Sequence, residues 1–252
     1  MTRTDEPRTQ NPATYVLVHG AWHGSWCWKR VRKGLLDAGH QVFTPTLTGL
    51  GDRSHLNSPT VDLSTHIADV VNLLRWEDLS DVILCGHSYG GSVIRGIADR
   101  VPERLRTIVY LDAFVPEDGE CLFDLAPEHA RHMRRQAQTA GAGWSVPPIP
   151  AENFNVNLRD ATWVNAQCTP QSIASFEERI KLNRLPSRTH DTMYVLATGW
   201  DNLPFRAAHE RAKAKGWQTR TIPCGHEVML DRPGELTDLL LEFATSAKPQ
   251  PH

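Results

Sequence analysis

Gly86-His87-Ser88-Tyr89-Gly90 carries a serine between two small residues, directly after an apolar run and directly before a helical pattern. A chain that turns sharply from strand to helix at this point must hold Ser88 in strained backbone angles. Its hydroxyl then stands clear of the sheet's carboxyl edge. A hydroxyl is a weak nucleophile without a base, so the reading requires an imidazole and an acid to orient it. Of the twelve histidines, His226 in Pro223-Cys224-Gly225-His226-Glu227 is best placed, because it follows the last strand pattern and precedes the last helix. Asp201, after the preceding strand, is the expected acid, with Asp112, after the fourth strand, as its rival. Acyl transfer also needs two amide N–H groups aimed at the developing oxyanion. Tyr89, which follows the serine, supplies one. Ala21, in the His19-Gly20-Ala21-Trp22 loop after the first strand, supplies the other, and Gly20 lets that loop close over the serine.

The elements that must position these residues alternate between the two periods of regular structure. Short apolar runs at 14–19, 41–44, 81–85, 105–111, 192–197 and 217–222 read as buried strands. Helical patterns at about 26–38, from Asp62 or Ser64 onward, to about Arg100, at 204–215 and at 234–246 lie between or after them. This predicts an α/β fold, a mainly parallel sheet with helices on both faces. Residues 114–185 break the alternation with helical fragments, prolines and aromatics, without a linker composition. They read as a mostly helical cap inserted into one core made of 14–113 and 186–247. Residues 1–13 read as a disordered leader and 248–252 as a tail.

Composition narrows the function classes. The 252-residue chain is 40% hydrophobic and 22% charged with a net charge of −2. No basic surface points to nucleic acid or an anionic membrane. The five cysteines form no CxxC pair, which fits free thiols in a reducing compartment. With no signal-type h-region and no apolar run of membrane length, the expected location is the cytoplasm. No HExxH, Walker loop or GxGxxG after a strand signals a metal or cofactor. Eight tryptophans and the aromatics near the cap suggest an apolar or aromatic small-molecule substrate. Trp22, Phe114, Trp163 and His87, with Gly20, are its expected contacts.

Together these residues resemble the α/β-hydrolase superfamily. The stretch Val16-Leu17-Val18-His19-Gly20-Ala21-Trp22-His23-Gly24-Ser25-Trp26-Cys27-Trp28, then Leu47 to Gly51, Gly86 to Gly91 and Gly225-His226, is similar to the branch of plant methylesterases, salicylate-binding esterases and hydroxynitrile lyases, with their bacterial esterase relatives. The resemblance implies a carboxylic ester, lactone or thioester hydrolase using Ser88, His226 and an aspartate, without a cofactor. A homodimer is compatible with it. The lyases typically have threonine where this chain has Gly20 and lysine where it has Glu227, which weakens the lyase reading. A C–C bond lyase on the same residues and a slow-turnover ligand receptor stay open as alternatives.

Overall fold

A computed structural model describes residues 12–183 and 190–245. The leader up to residue 11, the tail and the expected end of the cap at 185 lie outside the described residues. Ala13, read as leader, is buried, and its N–H bonds His40 Nδ1 at 3.2 Å.

Six parallel strands form the main sheet: β1 (Thr14–Val18), β2 (Gln41–Phe43), β3 (Val82–Ser88), β4 (Leu105–Ala113), β7 (Asp191–Ala197) and β8 (Gln218–Ile222), in the order β2-β1-β3-β4-β7-β8. All residues of β3 and β4 are buried, as their near-continuous apolar runs require when both faces of a parallel sheet are covered. Side chains alternate between the two faces. Val16 and Val18 of β1 pack with Ile67, Val70, Val93 and Ile97 of α2 (Leu63–Trp76) and α3 (Gly90–Arg100), in a cluster that also takes Phe205 of α8 (Leu203–Ala214). Tyr15 and Leu17 face the other way, onto Val31 and Leu35 of α1 (Lys29–Asp37) and Leu236, Leu240 and Phe243 of α10 (Pro233–Thr245). Asp62 caps α2, accepting the Thr65 N–H at 2.8 Å, which satisfies one of the helix's free donors.

The chain runs outward from β1 to β2 and then returns to β3 on the other side of β1, so the strand order reverses between β1 and β3. Open α/β sheets bind ligands at the carboxyl edge of such a switch. The loop after β1, which carries Ala21, and the end of β3, which carries Ser88, meet there. Between β4 and β7 lie α4 (Leu122–Leu125), α5 (Pro127–Ala140), α6 (Leu158–Gln167) and α7 (Ala174–Glu177). The same segment contains an antiparallel ribbon of β5 (Ser145–Val146) and β6 (Gln171–Ser172). The α6 helix is held to the core by paired contacts from the Arg30 guanidinium to both Asp160 oxygens, each 2.6 Å. A short α9 (Val228–Asp231) joins β8 to α10. Among the described residues no helix is long and apolar enough to cross a membrane.

Candidate active site

The turn at the end of β3 puts Ser88 at φ 53°, a left-handed conformation that costs a side-chain-bearing residue on the order of 1–3 kcal/mol and persists only when its surroundings enforce it. They do so here. The Ser88 carbonyl accepts the Phe114 N–H at 3.1 Å. A Cβ on Gly90 would come within 2.6 Å of the His19 carbonyl oxygen, so only glycine lets α3 start this close to the loop after β1. The Tyr89 side chain turns inward, its hydroxyl 2.7 Å from His66 Nδ1, while His66 Nε2–H donates to the Thr48 carbonyl at 2.9 Å.

The loop after β1 is held from two sides. His19 Nδ1–H donates to the Gly20 carbonyl at 2.8 Å and its Nε2 accepts the Leu47 N–H at 3.0 Å. Both nitrogens are thus satisfied in the neutral ring, and burial pushes His19 down to about 3. Trp22 sits at φ 62°. Its backbone N–H reaches Gln171 Oε1 at 2.9 Å, its indole N–H the Val146 carbonyl at 3.1 Å, and its carbonyl accepts from Thr169 at 2.9 Å. The inserted segment therefore fixes the conformation of the loop that presents Ala21.

His226 lies on the loop after β8. Its N–H bonds the Phe154 carbonyl at 3.0 Å. Its ring is enclosed by Trp200, Phe205 and Phe154, with centroids 4.5, 5.0 and 5.4 Å away. The carboxylate on its Nδ1 is Asp112, at 2.7 Å. Asp112 is fully buried, at φ 42° directly before the end of β4. It also accepts the Ala197 N–H at 3.1 Å and the Trp200 indole N–H at 2.9 Å.

Asp201, the acid expected from the sequence, is elsewhere. Its side chain is 80% exposed and pairs with Arg206 at 3.3 Å. The chain turns outward after Trp200, so the indole rather than the next carboxylate points at the imidazole. The rival Asp112, which the structure places inside β4 rather than after it, is the one brought to His226.

Ser88, His226, Ala21, Tyr89, Trp22 and Phe114 line one narrow cavity of about 40 Å³. Leu122, Met133, Ile149, Phe154, Phe176, Trp200 and Phe205 complete its apolar wall, and the further polar groups are His129 and Asn202. Among the described residues no acidic, lysine or arginine side chain lines it. Burial lowers the His129 pKa, and Asn202 Oδ1 is buried without a hydrogen-bond partner. Three expected contacts fall outside this lining. Trp163 stands edge-on to Trp26 at 5.0 Å. His87 is fully buried behind the serine, its Nε2–H donating to the His226 carbonyl at 3.1 Å. Gly20 packs on His87 and Ser88. Phe154, Phe176, Trp200, Phe205, His129 and Asn202 were not singled out by the sequence. Only their nearness to the strand ends and to the segment between β4 and β7 could have flagged them, since periodicity marks a helix such as α5 or α8 but not which of its residues reaches the site.

Among the described residues one trio, His87, His226 and Glu227, brings possible metal-ligand atoms within 4.8 Å of one another. The hydrogen bonds from His226 Nδ1 to Asp112 and from His87 Nε2 to the His226 carbonyl already engage two of its ring nitrogens, and we assign it no metal. The five cysteines are unpaired.

The chain belongs to the α/β-hydrolase family, whose sequence model matches residues 15–239. Within the family it is a carboxylic ester hydrolase of the esterase branch. It is 47% identical over 238 residues to the carbendazim hydrolyzing esterase of Nocardioides sp., covering 90% of this chain and 98% of that one. It is 34% identical over 159 residues to methylesterase 1 of Arabidopsis thaliana, spanning 62% of this chain and 57% of that protein. Among solved structures it superimposes with a TM-score of 0.81 and 26% identity on an extracellular α/β-hydrolase from a Paenibacillus species that shares structural and functional homology with tobacco salicylic acid binding protein 2. That match covers 93% of this chain and all of the other.

Proposed function

We propose that Ser88, His226 and Asp112 act as a catalytic triad that hydrolyses an uncharged, apolar or aromatic small-molecule ester through an acyl-enzyme. The carrying observation is the 2.7 Å bond between His226 Nδ1 and Asp112, at a cavity that His226 shares with a serine on a strained turn. With Nδ1–H donated to Asp112, His226 Nε2 is free to take the Ser88 proton as Oγ attacks the carbonyl. The Ala21 and Tyr89 amides receive the oxyanion. The alcohol leaves with the proton from His226, and water repeats the sequence on the acyl-enzyme. This reading assigns the triad acid to Asp112 in place of Asp201. It also treats the segment after β4 as a cap whose residues close the pocket.

The lining supports the substrate class. A charged substrate would have to shed its hydration against a wall whose described residues carry no acidic, lysine or arginine side chain, which is costly. Phe154, Phe176, Trp200 and Phe205 offer flat apolar faces. The relative named for carbendazim hydrolysis supports including that compound among the substrates tested. The unpaired cysteines support a reducing, cytoplasmic location.

The test combines intact mass after a small fluorophosphonate with hydrolysis rates on carbendazim and matched aryl, bulky and short aliphatic esters. Wild type gains one adduct, Ser88→Ala and His226→Ala gain none, and aryl esters are preferred. An unlabelled, folded wild type overturns the triad; a preference for short aliphatic esters overturns the substrate class.

A further inference from the structure

Behind the cavity lies a group of buried side chains that acyl transfer does not use. His23, His87 and Glu227 are 3%, 0% and 1% exposed. His23 Nδ1–H donates to the Ala21 carbonyl at 2.7 Å, and its Nε2 lies 3.4 Å from Glu227 Oε1. The other carboxylate oxygen, Oε2, lies 3.9 Å from His87 Nδ1, and neither these two atoms nor His23 Nε2 has a hydrogen-bond partner. Trp26 stacks on His23 at 4.9 Å, shutting water from the pair. The sequence places one member on each of two distant loops. His23 follows Ala21 by two residues on the loop after β1, and Glu227 directly follows His226 on the loop after β8.

We propose that His23 and Glu227 are a positioning pair, a buried ion pair that holds the Ala21 amide in register with the Ser88–His226 couple by tying one loop to the other. It rests on the triad reading above. His23 turns Nδ1 to the Ala21 carbonyl in a hydrogen bond and Nε2 to the Glu227 carboxylate at ion-pair distance without one, so a doubly protonated ring sets its charge beside the carboxylate. Burial opposes that charge, but Glu227, with Cys168 at 4.0 Å, outweighs it and holds His23 at about 10. The titratable groups facing the pair are Cys168, Cys27, His19, His87 and the catalytic His226. Removing one partner leaves the other charge buried and alone, which is the costly case; removing both does not.

The experiment measures kcat, KM and the pH profile for Glu227→Gln, His23→Gln, the double variant and Ser88→Ala. Each single variant should lose on the order of tenfold or more in kcat with KM little changed, the signature of misaligned chemistry rather than weakened binding. The double variant should lose less than the product of the two single losses. Wild-type kcat should fall as pH rises toward 10, where His23 gives up its proton. Glu227→Gln should lack that step, since without the carboxylate burial keeps the ring neutral. A folded Glu227→Gln with wild-type kcat and the same alkaline step overturns the proposal. If that variant fails to fold, His23→Gln carries the same comparison. Ser88→Ala separates the two levels. If it is inactive while the pair variants behave as wild type, only the positioning pair falls; if it retains full activity, the triad reading falls and the pair with it.

Discussion

Asp112→Asn should cripple the enzyme while Asp201→Asn should not. Three N–H groups converge on the Asp112 carboxylate, from His226 Nδ1, Ala197 and the Trp200 indole. An asparagine amide offers one oxygen, so its NH₂ must face at least one of those donors. If it faces His226, the ring accepts at Nδ1 and carries its proton on Nε2, where it can no longer take one from Ser88. By analogy with the same change in a serine-protease triad, the loss in kcat should be about 10⁴-fold, or about 5 kcal/mol of transition-state stabilisation. Stability should fall by about 1–3 kcal/mol for the donor left unpaired. Asp201, 80% exposed beside Arg206, should tolerate the same change within about 0.5 kcal/mol and with little change in rate. The assay is kcat on an aryl ester together with the fluorophosphonate labelling rate, each checked against the urea midpoint. Loss of activity in Asp201→Asn with Asp112→Asn retaining more than a tenth of it would refute the reasoning.

Other consequences follow from the same geometry. Trp200→Phe keeps a ring against His226 but removes the indole donor to Asp112; kcat should drop about tenfold or more, consistent with the roughly 1.5–3 kcal/mol of a hydrogen bond to a charged group, and an unchanged kcat would show that this bond does not orient the acid. Gly20→Thr puts a Cβ 2.9 Å from His87 Nδ1 and 3.0 Å from Ser88 Cβ; it should destabilise the fold by about 1–3 kcal/mol and lower kcat, and a urea midpoint equal to wild type would contradict the close approach. Stability should be greatest near neutral pH. Burial holds His19 at about 3 and His87 well below 6.5, so the unfolded chain binds more protons and stability is lost as pH falls from about 6.5 toward 3. His23, raised to about 10, contributes stability that is present below 6.5 and lost as pH rises through 10. Urea midpoints from pH 4 to 10 should trace that maximum, and a flat profile would refute the neutral buried histidines.

The sheet was legible because both of its faces are covered. Runs such as Val82-Ile83-Leu84-Cys85 carry the strand signal in four consecutive residues, and the Gly86-to-Gly90 spacing marks the turn that follows. His226 could be singled out among twelve histidines because position after the last strand is a topological fact. The acid could not. Asp112, one residue from the end of β4, and Asp201, beyond the end of β7, both lie at the same edge of the sheet, and the choice between them depends on where the side chain points. The left-handed turn at Asp112 sends its carboxylate inward; the outward path after Trp200 sends Asp201 to solvent. The pocket wall was only partly legible for a similar reason. Trp163 and Phe154 are both aromatics of the inserted segment, yet one packs on Trp26 and the other on His226, and no periodicity separates them. The pairing of His23 with Glu227 spans more than two hundred residues of chain and leaves no local trace.

The central claim is that the ester's acyl group passes through Ser88. Rapid quenching of wild type and His226→Ala during turnover of an aryl ester, followed by peptide mass mapping, tests it directly. Wild type should show an acyl mass increment on the peptide containing Ser88, and His226→Ala little or none. Full turnover with that peptide unmodified at every quench time, or the increment on another residue, would contradict it.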